Sequence, residues 1–274
     1  MYKITDNSFV SSGGNPSKYI ITDLIENTIQ QEKQNNSILE YEERHEKEEH
    51  PAKIINLMDE FQQFIALHVL LNNHEGAVLD VGCGISTKHP LYFKALKNSN
   101  LTYIGLDPFE KNQTNREYLF INGKFEGLHK HIDSKVDYLI FSTSLDHFEN
   151  LEEVKNEIVK ILKPNGLAFF WVGVHDANVI SRWRLSYGLF ENFNVLSIPD
   201  LLSTLIKAPL RILYTFLSIL IRTIKLKKKI PLDNLHFHYF TEESLEFYLS
   251  SVGEIAGVKK APLSNSFFYA IKPH

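Results

Sequence analysis

Apolar positions along this chain keep two different periods. From Ile54 to Leu71 the run "IINLMDEFQQFIALHVLL" repeats them at helical spacing, which predicts an amphipathic helix packed on a larger body. From Ala77 onward the period shortens. The runs "AVLDV", "LTYIGL", "EYLFI", "VDYLIFS" and "LAFFWVGV" alternate with helical patterns such as "LEEVKNEIVKIL", Leu151 to Leu162. Strands alternating with helices predict βαβ units and an α/β fold with a doubly wound, mostly parallel sheet. Ligands of such sheets sit beyond the carboxyl ends of the strands, so the loops that follow those runs are where chemistry is expected.

Three further stretches complete the organisation. Residues 1–75 read as an N-terminal helical segment, whose charge run "EYEERHEKEEH" (Glu40 to His50) is a solvated helix face. Residues 76–181 and 232–274 carry the sheet, the latter ending in a helix, "TEESLEFYLSSVG", and two strand-like runs that close the sheet antiparallel. Residues 182–231 are too apolar for a linker and too long for a βα connection, and are expected to form a helical lid. Within that insertion Lys207, Arg211, Thr215, Ser218, Arg222, Lys225 and Lys229 follow at steps of 3 or 4, one basic stripe along an otherwise apolar helix. Its longest uncharged run, Ile212 to Ile221, is far short of the roughly 20 residues that span a bilayer. Peripheral contact with an anionic membrane through 201–229 and a homodimer contact are the other uses such a helix has.

Composition narrows the function class. The chain has 274 residues, 43% hydrophobic and 23% charged, as an ordinary globular protein does. A formal net charge of -4 gives no basic footprint for phosphate backbones, so nucleic acid is not an expected partner. One cysteine, Cys83, excludes an intrachain disulfide framework and a Cys-rich zinc site. The opening "MYKITDNSFV" lacks an apolar signal core, and a cytoplasmic setting is the expectation.

The densest chemical signal is "LDVGCGIS". Gly82 and Gly84 flank Cys83 and allow a tight turn in which main-chain N–H groups face a ligand at the start of the next helix. A dinucleotide loop wants G-x-G-x-x-G, and here the third position is Thr87. Asp80, just before the glycines, would repel a pyrophosphate but suits a ligand with positive charge. The next strand ends "YIGLDPF", which puts Asp107 at a strand tip where a carboxylate accepts both hydroxyls of a ribose. Pro108 and Phe109 then offer an apolar edge for a flat base.

With those residues in place, the chain resembles a class I S-adenosylmethionine-dependent methyltransferase. The likeness runs in the family's order through "VLDVGCG", "YIGLDP", "GKFEGL", "VDYLIFSTSLDHF" and "ILKPNGLAFFWVG". It implies a Rossmann-like, seven-stranded sheet and S-adenosylmethionine as cofactor. It further implies that Asp80, Gly82 and Gly84 hold the methionine end and Asp107 the ribose, that Phe109 and the Lys124 to Glu126 stretch flank the adenine, which is held by backbone groups or by Glu126, that Ser142 lies near the amino-acid portion, and that Cys83 and Pro108 belong to the same cofactor site. Lys124 stands where many relatives carry an acid.

Methyl transfer needs alignment and exclusion of water, and a hydroxyl acceptor also needs a base. "STSLDHFEN" places Asp146 and His147 after the fourth strand, and "WVGVHDAN" places His175 after the fifth. These three are the catalytic candidates. His236 and His238 alternate in "DNLHFHYFT" and in an extended segment would share a side, but no third ligand follows at characteristic spacing, so no metal is expected. The "HKH" at His129 to His131 reads as a solvated helix end. The expected function is methyl transfer to a hydroxyl or amine of a small molecule or glycan. A silent cofactor-binding regulatory or scaffold subunit and an NAD-dependent oxidoreductase are the alternatives.

Overall fold

A computed structural model describes residues 1–4, 8–11, 16–21, 52–72, 75–84, 86–96, 100–108, 116–175, 217, 220–221, 224, 236–261 and 264–274. The apolar runs of the sequence become strands β5 (Glu75–Val81), β6 (Asn100–Asp107), β7 (Leu119–Asn122), β8 (Val136–Ser142) and β9 (Leu162–Gly173), all parallel. They are buried on both faces, which is why they read as continuous apolar runs and not as alternating ones. β10 (Gly253–Lys260) and β11 (Ser266–Pro273) close the sheet, β11 running antiparallel to both β9 and β10. From β7 the order is β7-β6-β5-β8-β9-β11-β10, so the strand order reverses between β5 and β8. The ends of those two strands therefore flank the crevice in which a ligand is expected.

Helices cover both faces. On one, α1 (Ala52–Leu71) buries Leu57, Phe61, Phe64, Ile65 and Val69. The Phe61 ring lies 5.6 Å from Trp171 and 5.2 Å from Phe268, which fixes α1 across β9 and β11. On the other, α2 (Leu151–Ile161) packs Val154, Ile158 and Ile161, and α3 (Glu242–Val252) packs Leu245, Leu249 and Val252. Asn150 caps α2 by accepting from the amides of Glu152 and Glu153, and Thr241 with Ser244 forms a capping box on α3.

Three local expectations are corrected. Residues 1–75 are not helical throughout: β1 (Tyr2–Ile4), β2 (Phe9–Ser11) and β3 (Pro16–Ser17) make a small antiparallel sheet. β4 (Tyr19–Ile21) pairs parallel to β7 as an eighth edge strand. β1 and β4 also bond to distant segments, as where the Tyr2 amide donates to His131 O at 2.8 Å, and all four strands are too short to carry a period. The charge run at 40–50 lies outside the described residues, as does most of the insertion. Next, the helix expected directly after the glycine loop is a 3₁₀ helix, Leu91–Leu96, that does not start at the glycines. Pro90 stands before it, and the turn-forming "STKHP" separates it from the glycines. Finally, His129 is no solvated end, because its Nδ1 lies 2.7 Å from the buried Glu157 carboxylate, which also accepts the His129 amide at 2.6 Å.

Candidate active site

The glycine loop is tied to the neighbouring strand by its backbone. Gly82 N donates to Leu106 O at 2.8 Å, Cys83 N to the same oxygen at 3.2 Å, and Gly84 N to Asp107 Oδ2 at 2.9 Å. Both glycines sit in the left-handed region, Gly82 at φ +78° and Gly84 at φ +74°. A Cβ on Gly82 would meet the Ser144 Cβ at 2.6 Å, so the loop after β8 closes directly on the glycine loop. Ser144 is fixed there by its Oγ, which donates to Val81 O at 2.6 Å. Beside it, Thr143 holds φ +56°, the one positive φ outside glycine among the described residues. Strain at such a position is retained where the surroundings over-determine it.

Asp80 lies fully buried at the end of β5. Its Oδ2 accepts from the Tyr92 hydroxyl at 2.6 Å and from the Tyr103 hydroxyl, while Oδ1 has no hydrogen-bond partner among the described residues. Burial outweighs the two phenol donors and pushes its pKa up to about 6. Arg116 is buried on the other side of the loop. Its Nη1 donates to Ser86 O at 2.7 Å and to the Tyr118 hydroxyl at 2.6 Å, and its guanidinium lies 3.6 Å from the centroid of the Phe120 ring. Arg116 Nε and Nη2 are buried without partners among the described residues. Cys83 is packed over Gly105, and its thiol is raised well above the ordinary value by burial first and then by Asp107 and Asp80.

A second cluster stands along the same edge of the sheet. Asp146 and His147 form a 3₁₀ turn after β8, and the segment 236–240 crosses over it. Asp146 O accepts the amides of Phe237 at 2.9 Å and His238 at 3.2 Å, which fixes the crossing. His236 Nε2 then lies 3.5 Å from Asp146 Oδ2, and His147 Nε2 lies 3.8 Å from Asp146 Oδ1. His175 joins from the end of β9, its amide donating to Phe240 O at 2.6 Å and its ring 5.3 Å from that of Tyr239. His238 turns away to the Glu149 carbonyl at 3.3 Å, so the two alternating histidines do not share a partner.

A family model for the methyltransferase domain matches residues 79–170, from inside β5 to inside β9, and so covers both loops. Residues 79–170 thus form a class I S-adenosylmethionine-dependent methyltransferase domain. The match removes the NAD-dependent oxidoreductase, and S-adenosylmethionine is the methyltransferase's cofactor. Among solved structures, the chain is similar to the Burkholderia thailandensis 1,6-didemethyltoxoflavin-N1-methyltransferase at 12% identity and TM-score 0.52, covering 92% of this chain and 93% of that one. A methyltransferase from Archaeoglobus fulgidus aligns at 15% identity and TM-score 0.42, over 74% of this chain and 71% of that one. The former likeness establishes the fold, including the reversal at β5 and β8. No curated protein matches the chain.

In the methyltransferase, Gly82, Cys83, Gly84 and Asp107 are joined by hydrogen bonds between the glycine loop and the end of β6, and Asp80 lies at the end of β5 beside them. Ser142 ends β8 near the Tyr92 hydroxyl, Pro108 follows Asp107, and Glu126 sits in the turn after β7 with its carboxyl raised by burial. Phe109 lies outside the described residues. Tyr92, Tyr103, Tyr118 and Arg116 were not singled out in the sequence, and their only local signal is polar atoms within otherwise apolar runs.

Proposed function

We propose that this methyltransferase alkylates a hydroxyl or amine of a small molecule or glycan, with the cofactor held at the glycine loop. The observation carrying the cofactor placement is the buried, unpartnered Oδ1 of Asp80 beside backbone that a Cβ would obstruct. An acceptor atom left bare in such a place fits a cationic group, and the methionine end of S-adenosylmethionine carries an ammonium and a sulfonium. Arg116, with bare donors across the loop, fits the carboxylate of the same end. Asp107 and Pro108 take the ribose side, Glu126 the adenine side, and Ser142 the amino-acid portion.

The cofactor supplies an electrophilic methyl on sulfonium sulfur. His147 and His175 stand past the cofactor contacts, on loops at the carboxyl edge, where either ring can take a proton from an acceptor hydroxyl or ammonium. Asp146 places its carboxylate 3.8 Å from the His147 Nε2. The similar Burkholderia protein is named a 1,6-didemethyltoxoflavin-N1-methyltransferase, which supports a small-molecule acceptor.

Binding of S-adenosylhomocysteine measured by calorimetry tests the placement, and its pH dependence tests Asp80. The Asp80 pKa is raised above its unfolded value of about 3.9, so protonation is favoured in the apo fold. Its contribution to stability is greatest at low pH and declines as pH rises from about 4 to 6, then stays level. A cation against Oδ1 reverses that preference and expels the proton. Affinity is therefore expected to rise about tenfold from pH 5 to pH 7.5. The binding enthalpy at pH 6 should vary with the ionisation heat of the buffer, and an enthalpy independent of buffer would separate Asp80 from the cofactor's ammonium.

For the insertion we propose a surface role. Leu217, Leu220, Ile221 and Ile224 are helical in backbone, lie on one helix face by their spacing and are exposed. The basic stripe beside them in sequence fits an anionic membrane surface. No helix among the described residues is long and apolar enough to cross a membrane. Co-sedimentation with anionic liposomes that weakens with salt and is lost on charge reversal of Arg211, Arg222 and Lys225 is the expected result. Absence of co-sedimentation at low salt would assign the helix to a lid or a homodimer contact.

A further inference from the structure

Three side chains from two distant parts of the sequence present lone pairs to a common space at the edge of the sheet. His147 Nε2, His236 Nε2 and an Asp146 carboxylate oxygen all lie within 4.8 Å of one another. The histidine-to-carboxylate separations of 3.8 and 3.5 Å exceed the 2.7–3.2 Å of a hydrogen bond. They are close instead to the roughly 3.4 Å that separates neighbouring ligands around a tetrahedral ion with bonds near 2.0–2.2 Å. The two imidazole rings face the carboxylate nearly perpendicular to each other, at 78° with centroids 4.9 Å apart. The two separations are to different carboxylate oxygens, and with one oxygen chosen the three atoms lie within 4.8 Å of one another, so side-chain rotations that close them by about an ångström bring them to coordination distance of a common point.

We propose that Asp146, His147 and His236 bind a divalent first-row transition-metal cation of the zinc class. Two imidazole nitrogens and one carboxylate oxygen form the donor set of such ions, whereas magnesium and calcium prefer oxygen alone. Among the described residues three side chains supply ligands, and a three-ligand set of this kind leaves a position for a further ligand, as catalytic sites do. Exposure agrees with this, since the Asp146 side chain is nearly buried while the His147 and His236 side chains are 33% and 25% exposed. The frame is also built. The Asp146 carbonyl holds the His236 segment through the Phe237 and His238 amides, and Ser144, two residues earlier, is locked to Val81 beside the glycine loop. An oxygen or nitrogen of the acceptor is the ligand class for the open position. With His147 on the cation, the base of the preceding subsection is His175; that service to methyl transfer rests on the preceding reading, but affinity for the cation does not.

The experiment is titration of the untagged full chain, stripped with EDTA, with Zn²⁺ by calorimetry and with Co²⁺ by visible absorption. One equivalent of Zn²⁺ should bind, displace Co²⁺ and leave Mg²⁺ without effect. His236→Ala and His147→Ala should each weaken Zn²⁺ by at least about 100-fold, the upper end of what loss of an outer-shell partner alone costs. Circular dichroism must stay unchanged, and His236→Gln serves if the alanine variant unfolds. Absence of stoichiometric Zn²⁺ binding, or binding undiminished in a folded His236 variant, overturns the site. S-adenosylhomocysteine affinity is measured on the same wild-type samples, so a chain that binds zinc but not the cofactor analogue would count against the cofactor placement alone.

Discussion

Gly82→Val is expected to weaken S-adenosylhomocysteine by on the order of 10²–10³-fold while the sheet remains folded. Two independent costs meet at this position. A branched side chain at φ +78° carries about 1–2 kcal/mol of backbone strain. The new Cβ would also stand 2.6 Å from the Ser144 Cβ, and overpacking of that kind costs about 1–3 kcal/mol. Ser144 cannot step aside cheaply, because its hydroxyl is bound to Val81 O and the residue is buried. Relief comes instead from moving the loop off the Leu106 carbonyl, which carries the Gly82 and Cys83 amides away from the ligand. Calorimetry against S-adenosylhomocysteine, with circular dichroism as the fold control, reads the effect. Affinity retained in a folded Gly82→Val chain would mean that the cofactor does not approach this backbone.

Much of the sheet could be read from the chain because strands buried on both faces need uninterrupted apolar residues, and "AVLDV", "VDYLIFS" and "LAFFWVGV" have them. The closing helix was equally legible, since Thr241 and Ser244 announce its start and Gly253 its end. The N-terminal strands were not. β1 and β4 span three residues each and are held by β2 and the His131 carbonyl and by β7 respectively, so no local period betrays them. His129 misled for a related reason, because flanking Lys130 and His131 suggest solvent while its own ring reaches a buried Glu157 on another element.

The candidate site divides the same way. Asp80, Gly82, Gly84 and Asp107 announce themselves because backbone geometry demands glycine and the strand ends demand acids within short, contiguous motifs. The environment that tunes them was hidden. Tyr92, Tyr103 and Arg116 reach Asp80 and the loop from three separate segments, and each is an unremarkable residue where it stands in the chain. The histidines show the limit most clearly. Spacing suggested that His236 and His238 act as a pair, whereas the fold gives His236 to Asp146 and His147 and turns His238 to a carbonyl. A bend at Phe237, held by the Asp146 carbonyl, breaks the alternation that the sequence pattern assumed.

Asp107→Ala is expected to weaken S-adenosylhomocysteine by about 2–4 kcal/mol, the worth of two charge-assisted hydrogen bonds to a ribose. The structure adds a second route to the same loss. Asp107 is buried at the tip of β6, and its Oδ2 accepts the Gly84 amide at 2.9 Å. Removing the carboxylate therefore unties the glycine loop from β6 as well as emptying the ribose position. Asp107→Asn separates the two contributions, because its amide oxygen can still accept from Gly84 while the negative charge is gone. If the ribose contacts dominate, the asparagine variant should fall between wild type and alanine, as one hydroxyl partner survives without charge assistance. If the loop tether dominates, asparagine should approach wild-type affinity. Calorimetry on the three proteins at pH 7.5 distinguishes these results, and an alanine variant with unchanged affinity would remove Asp107 from the cofactor site altogether.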